Sequence, residues 1–363
     1  MKHLTDLTCC RAIFAGWVFA YHLNLQAMYA PSLGAGGAFV QRGNLGVDGF
    51  FILSGMILAY AHPRLAPSFA EARSFWGKRL ARIYPVHLAM IVALGLLVGS
   101  AWVLQVHPRE PDRFGLGELL SHLTLVHAWG FSDRWAWNYP SWSISAEWAG
   151  YLLFPFLWAL LRGQNGIGLA VVLPLTLLGV IATRVIAHAE SLTLTFDGGL
   201  IRFFPEFISG IAILPLLPRL PRWLNGQLVA LAGGLGFVTF GVLDCEVPTI
   251  VALWFMLAGL LLAGEQGRRP VLGRIPGLRW LGEISYSYYM SFALVETLQA
   301  TLWRHFDLSP PAHRALYILS TTALTLVLAT LAFVLVERPA MRAYGQLAGR
   351  RARRDVPGFP ARL

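Results

Sequence analysis

The chain has 363 residues, of which 56% are hydrophobic and only 13% charged. A soluble domain carries about 25% charged residues, so this composition excludes an ordinary water-soluble enzyme and points to lipid as the solvent. The formal net charge of +10 would suit nucleic acid in a soluble protein. Here the basic residues fall mostly in short loops between apolar stretches, where they report topology, and no nucleic-acid partner is expected. Cys9, Cys10 and Cys245 have neither disulfide nor metal-ligand spacing, so no metal site is expected.

Met1 to Leu7 is short and polar. The apolar stretch behind it is long enough to span and stay, so no cleaved signal is expected. Runs near the roughly 20 residues that a spanning helix needs recur along the chain. They predict about ten transmembrane helices, over 8–28, 44–61, 84–104, 140–161, 167–188, 200–217, 226–243, 247–264, 283–303 and 314–336. Residues 115–130 are apolar but short and interrupted, which suits an interfacial or re-entrant segment on the outer side. No internal repeat or attached soluble domain is evident. The expected fold is an all-α, polytopic membrane bundle over 1–340 with a basic cytoplasmic tail over 341–363. With the N-terminus inside, the inner segments hold 20 Lys and Arg and the outer segments 6, which puts both termini in the cytoplasm. Arg350, Arg351, Arg353 and Arg354 of the tail suit anionic headgroups.

Ionisable side chains inside spans cost several kcal/mol and need a reason. In the first span, Arg11 and His22 are eleven residues apart. Eleven steps return to within about 20° of one helix face and rise roughly 16 Å. His22 then lies roughly 21 Å from the inner end of a core of about 30 Å, and Glu147 roughly 10 Å from the outer end, at similar depth. Asp48, Glu206 and Glu296 fall in the same outer half. Groups from five helices near one level imply a polar cavity. The plainer reading is an ion-pair network with Arg184 or Arg202. On the inner side, residues 70–83 read as an amphipathic surface helix, with Trp76, Leu80 and Ile83 towards the membrane and Pro85 opening the third span. Arg79 and Arg82, three apart, project together; they fit a phosphate clamp or ordinary positive-inside anchoring.

Taken together, these motifs resemble the acyltransferase-3 family of membrane acyltransferases. Arg11 and His22 match its Arg, ten residues, His pattern, and Gly43 to Gly55 (GNLGVDGFFILSG) is similar to its second-helix signature. Arg79 to Pro85 (RLARIYP) matches its Arg-x-x-Arg element, and Ser141 to Glu147 (SWSISAE) its Trp-Ser-x-Ser-x-Glu segment. Leu281 to Met290 (LGEISYSYYM) and Val336 to Pro339 (VERP) resemble its later landmarks. The resemblance runs in order along almost the whole chain. Many members carry a histidine soon after the Tyr-Ser-x-Tyr stretch; this chain has Ser291 and Phe292 there. The hydrolase-like domain fused to some members is not expected.

The resemblance implies O-acylation, often O-acetylation, of sugars in surface polysaccharide, lipopolysaccharide or glycolipid, by a multi-pass protein of a bacterial-type inner membrane. Some members acylate macrolides or peptidoglycan. No tightly bound cofactor is expected; acyl-CoA, with acetyl-CoA first in line, is the donor substrate. Arg11, Arg79 and Arg82 are assigned to acyl-CoA. His22 is the expected base or acyl carrier, and Glu147 its orienting partner, as in a triad. Asp48, Ser143 and Trp142 are assigned to the cavity or the acceptor. Ser143 as a nucleophile is disfavoured, since no Gly-x-Ser-x-Gly elbow surrounds it. Trp135, Trp137, Tyr139 and Trp142 would stack on a sugar or form an interfacial belt. The alternative from another class is a proton-coupled transporter of a lipid-linked or sugar substrate, which would also bury His and Glu in polar cavities.

Overall fold

The computed structural model describes residues 4–105, 111–131, 134–190 and 194–354. Among these residues the chain is helical throughout, without a strand. In chain order the helices are α1 (Thr5–Ala27), α2 (Ala35–Gln41), α3 (Gly46–Ala61), α4 (Phe69–Val103), α5 (Leu116–Leu123), α6 (Trp142–Arg162) and α7 (Gly166–Glu190). They continue as α8 (Gly199–Leu216), α9 (Gly226–Val242), α10 (Glu246–Glu265), α11 (Leu278–Leu302), α12 (Pro311–Ala332) and α13 (Arg338–Arg354). Each of the ten expected spans coincides with one of these helices. Seven segments are long and apolar enough to cross a membrane: Gly43–Ala61, Phe69–Val103, Tyr139–Arg162, Gly168–Ala189, Gly199–Arg219, Glu246–Glu265 and Pro311–Leu347. The chain is therefore a multi-pass membrane protein. Helix α9 is apolar but has 17 residues. Helices α1 and α11 have the length, 23 and 25 residues, but are interrupted by polar side chains, among them Arg11 and His22 on α1 and Ser285 and Glu296 on α11. These join polar side chains of α3, α4 and α6 at the site.

Close approach of backbones sets the frame. A Cβ on Gly55 would strike the Phe207 carbonyl, and one on Gly210 the Ile52 carbonyl, so α3 and α8 touch backbone to backbone. Gly233 and Gly259 do the same for α9 and α10. Small residues serve this purpose in lipid, where packing and not water exclusion drives helices together. Helix α1 packs against α11 and α3.

Two expectations change. First, α4 is one helix of 35 residues that runs through Pro85. Proline does not open a new span here, because neighbouring helices in a membrane can satisfy the backbone groups it frees. At roughly 52 Å, α4 exceeds the hydrocarbon core, so one end reaches beyond it. Its start is capped: the Ser68 side chain accepts from the Glu71 N–H, while Glu71 accepts from the Ala66 N–H at 2.8 Å. Second, Trp76 and Ile83 turn inward. Ile83 is buried, and Trp76 packs on the same core and donates to the Tyr151 carbonyl at 3.0 Å. Only Leu80 of that stripe is exposed. A π-helical turn, Phe333–Glu337, joins α12 directly to α13. Tyr344 of α13 packs against Gly77 of α4. Lys2, Arg109 and the side chains of Arg350, Arg351, Arg353 and Arg354 lie outside the described residues.

The segment left open between interfacial and re-entrant begins with α5, whose eight residues are too short to span. The loop behind it docks on α6. The Ala128 N–H donates to Ser145 Oγ at 3.0 Å, and Trp129 Nε1 donates to the Ser145 carbonyl at 2.9 Å.

Candidate active site

Two cavities lie among α1, α3, α4, α6 and α11. The first, of about 110 Å³, is lined by Arg11, Arg79, Arg82, Ser54, Glu147 and Tyr151, with Ser143 and Ser285. Arg11 Nε donates to Ser285 Oγ at 3.1 Å, across the α1–α11 contact. Arg82 pairs with Glu337, which is 1% exposed and also accepts from Ser287 Oγ at 2.5 Å. The π turn sets Glu337 at this position. The Arg79 guanidinium lies 5.7 Å from the Phe75 ring centre and 5.9 Å from that of Tyr151. Its buried Nε has no partner. Among the described residues, neither Arg11 nor Arg79 has an ion-pair partner. Glu147 accepts from Ser54 Oγ at 2.5 Å.

The second cavity, of about 290 Å³, is lined by His22, Tyr21, Asn44, Trp135, Tyr139 and Trp142, with Arg202, His122 and His127. His22 Nδ1 lies 3.0 Å from the Tyr139 hydroxyl, which donates to Glu296 Oε2 at 2.5 Å. Gln26 donates to the other carboxylate oxygen, Oε1, at 3.2 Å. The Tyr139 ring stacks on Trp135 at 5.0 Å and 8°, and the Arg113 guanidinium lies 4.8 Å from its centre. The Phe292 ring packs on the imidazole, centre to centre 4.7 Å.

Val47 and Tyr289 line both cavities and form the wall between them. The Tyr289 hydroxyl donates to the Pro140 carbonyl at 2.9 Å and accepts from Ser143 Oγ at 3.2 Å. Arg11, Arg79, Arg82, Ser143 and Glu147 thus share one cavity, while His22 and Trp142 belong to the other. His22 and Glu147 do not touch: the imidazole is held by Tyr139 and the carboxylate by Ser54.

Asp48 lines neither cavity. It is fully buried and accepts from Arg202 Nε at 3.0 Å and from Arg184 at 2.5 Å. Arg184 also lies 3.6 Å from both Glu206 and Glu246. A carboxylate clamped by two guanidinium groups is already satisfied and has nothing left for an acceptor, so the assignment of Asp48 to the cavity gives way to the ion-pair network. Glu206 belongs to the same network. Arg202, held by Asp48, stands 5.3 Å from the Trp142 ring centre. Trp142 is only 7% exposed; Trp135, which lines the same cavity, is 44% exposed.

Sequence reasoning named Tyr139 only as an outer aromatic and Glu296 only as an outer-half acid. The available signal was the acid itself, a carboxylate within an otherwise apolar helix. Near this cavity His87, His122 and His127 stack with nearly parallel rings, His122 on His127 at 3.8 Å. Among the described residues, no group of three or more His, Cys, Asp or Glu side chains is arranged to hold a metal ion.

The chain belongs to the acyltransferase-3 family of acyltransferases: the family's acyltransferase-domain profile matches residues 4–332. It is similar to acyltransferase MdmB of Streptomyces mycarofaciens, 30% identical over 94% of this chain and 93% of that one. It is also similar to the exopolysaccharide production protein ExoZ of Rhizobium meliloti, 29% identical over 88% of this chain and 94% of that one. The peptidoglycan O-acetyltransferase OatA of Listeria monocytogenes is 23% identical over 93% of this chain and 56% of its own length. No solved structure matches the chain.

Proposed function

We propose that this membrane acyltransferase moves an acyl group, acetyl in the first instance, from cytoplasmic acyl-CoA to a sugar hydroxyl of a surface polysaccharide, lipopolysaccharide or glycolipid. The observation that carries the reading is the first cavity. Arg11 and Arg79 stand there without a carboxylate partner, and a buried guanidinium Nε lacks any partner. Such cations are costly in a low-dielectric interior, and an anionic donor offsets that cost. Arg79, with Arg11 and Arg82, binds the donor's phosphates and arm by charge-assisted hydrogen bonds. The names of two relatives, an exopolysaccharide production protein and a peptidoglycan O-acetyltransferase, support a glycan acceptor. Their family membership favours acyl transfer over transport.

In this reading ten helices span a bacterial-type inner membrane with both termini inside, as the basic-residue asymmetry supports. Donor and acceptor enter from opposite faces and meet at Val47 and Tyr289. His22 takes the proton of the attacking hydroxyl at Nε2. The hydroxyl oxygen forms the new C–O bond, the C–S bond breaks with its electron pair going to sulfur, and the imidazolium returns its proton to the thiolate. In the related route, His22 carries the acyl group covalently between the two half-reactions. Glu147, held by Ser54 on the donor side, is the second catalytic group, beside the thioester. Trp142 borders the acceptor, and Ser143 lies on the donor side of the wall, bonded to Tyr289.

The test compares surface-glycan acylation by mass spectrometry in cells with and without the protein, alongside acetyl-CoA consumption by the purified protein with glycan from the deficient cells. Acyl loss from the glycan in deficient cells and thiol release in vitro are expected. Unchanged glycans and no acetyl-CoA consumption would sink the proposal.

A further inference from the structure

The hydrogen-bond chain behind His22 goes beyond the proposed acyl transfer, although it rests on His22 acting as the base. Tyr139 has one hydroxyl proton and two neighbours that could accept it, Glu296 Oε2 at 2.5 Å and His22 Nδ1 at 3.0 Å. A carboxylate is the stronger acceptor, and the shorter contact is the one to Glu296. Gln26 donates to the opposite oxygen of the same carboxylate. With the tyrosine proton directed to Glu296, the phenol oxygen must accept from His22, which puts a proton on Nδ1. Nε2 then carries the lone pair. It has no hydrogen-bond partner among the described residues, and His22 lines the second cavity.

We infer that Tyr139 and Glu296 are positioning residues that fix the tautomer of His22, so that Nε2 is the free basic nitrogen. When Nε2 takes a hydroxyl proton, the positive charge on the ring is balanced through Tyr139 by the Glu296 carboxylate. No proton needs to travel along the chain. The same oriented arrangement serves an acyl carrier, because the Nε2 lone pair would also attack the thioester. The packing suits this task. Trp135 and Arg113 hold the tyrosine ring from its faces, and Phe292 holds the imidazole. Glu296 lies one helical turn beyond Phe292 along α11. The polar partner of His22 in this chain thus comes from the next turn, through a tyrosine.

The experiment is 15N NMR of the full-length protein, labelled at histidine and held in nanodiscs. The His22 signals are assigned by subtracting a His22→Gln spectrum. The expected result is a protonated Nδ1 and a bare Nε2 in the parent protein, with that preference lost in Tyr139→Phe and Glu296→Gln. Turnover is read as thiol release from acetyl-CoA with glycan from deficient cells. Tyr139→Phe should lower it about 100-fold, with the half-saturating acetyl-CoA concentration unchanged. A parent spectrum with the proton on Nε2 overturns the inference, since the chain would then run in the opposite direction. Unchanged turnover in both variants overturns it as well. Failure of the underlying reading looks different: His22→Ala would keep full turnover. Because Tyr139→Phe keeps the stacked ring and Glu296→Gln keeps the side-chain shape, a folding defect would appear as lost nanodisc yield in one variant and not as a common tautomer change in both.

Discussion

The two cavities share Val47 and Tyr289 as a wall, yet their charges are treated in opposite ways. In the first, Arg82 is tied to Glu337 while Arg11 and Arg79 have no acidic partner. In the second, the one lining arginine with a buried guanidinium, Arg202, is answered by Asp48, and the remaining wall is largely aromatic and imidazole. An uncompensated cation costs several kcal/mol in a membrane interior, whereas a paired one is already satisfied. On the proposed function, the first cavity, where three arginines face Glu147, takes the anionic donor and the second a neutral acceptor with a hydroxyl to present. Arginines with a carboxylate partner, Arg82 and Arg202, thus stand apart from Arg11 and Arg79, which have none among the described residues.

The largest effect expected comes from the second cavity. His22→Ala should lower glycan acylation by about 10²- to 10⁴-fold while acetyl-CoA affinity, measured by calorimetry, stays the same. Equal loss of donor binding would mean that the two cavities act as one pocket. Next is the ion-pair network. Asp48→Asn leaves Arg184 and Arg202 short of a buried counter-charge and should cost about 3–5 kcal/mol, seen as a lower melting temperature of the solubilised protein. An unchanged melting temperature would show that the network carries no stability. Smaller still, Arg79→Ala should weaken acetyl-CoA binding by about 1.5–3 kcal/mol, roughly 10- to 100-fold, with little change in melting temperature, because no acidic partner is abandoned. Arg82→Ala should instead lower the melting temperature, since Glu337 would remain buried and unpaired. If the two variants behave alike, the division of the arginines is wrong.

The smallest effect concerns the docked segment after α5. Burial pushes His122 down from 6.5 to about 4 and His127 well below its usual value, with Arg113 adding to the first and His122 and then His87 to the second. Both are neutral in the docked form, whereas an undocked imidazole binds a proton at about 6.5. The docked form therefore holds fewer protons than the undocked form between the two values. Its stability is complete above 6.5 and falls as pH drops towards 4, by at most about 1.4 kcal/mol per pH unit for each imidazole. Hydrogen exchange in residues 116–131, corrected for intrinsic rate, should be faster at pH 5 than at pH 7; equal protection would remove the histidines from the docking energy.

Helix positions were legible because a spanning run of apolar residues has few other uses in a chain of this composition. The shared face of Arg79 and Arg82 was legible for the same local reason, three-residue spacing, and both line the first cavity. Depth arithmetic on His22 and Glu147 gave height along the helix but not direction around it, so two groups at similar depth were paired although they face different cavities. The counter-charge of Arg82 comes from 255 positions away and the partner of Tyr139 from 157. No local period encodes such contacts; helix rotation and packing decide them. Pro85 misled because proline rules drawn from water-exposed helices weaken when neighbouring helices satisfy the backbone.

Val47 and Tyr289 also have an electrical consequence. If each cavity is wetted from its own face of the membrane, these two side chains stand between the two bodies of water. A joined path would conduct protons down a potential worth about 2.3 kcal/mol per charge for each 100 mV. Tyr289 is well suited to prevent this, because its hydroxyl is already occupied by the Pro140 carbonyl and by Ser143, which leaves little for a continuous file of water to bind. The wall would then work as an insulator as well as a meeting point, and a smaller side chain at 289 would turn an acyltransferase into a leak.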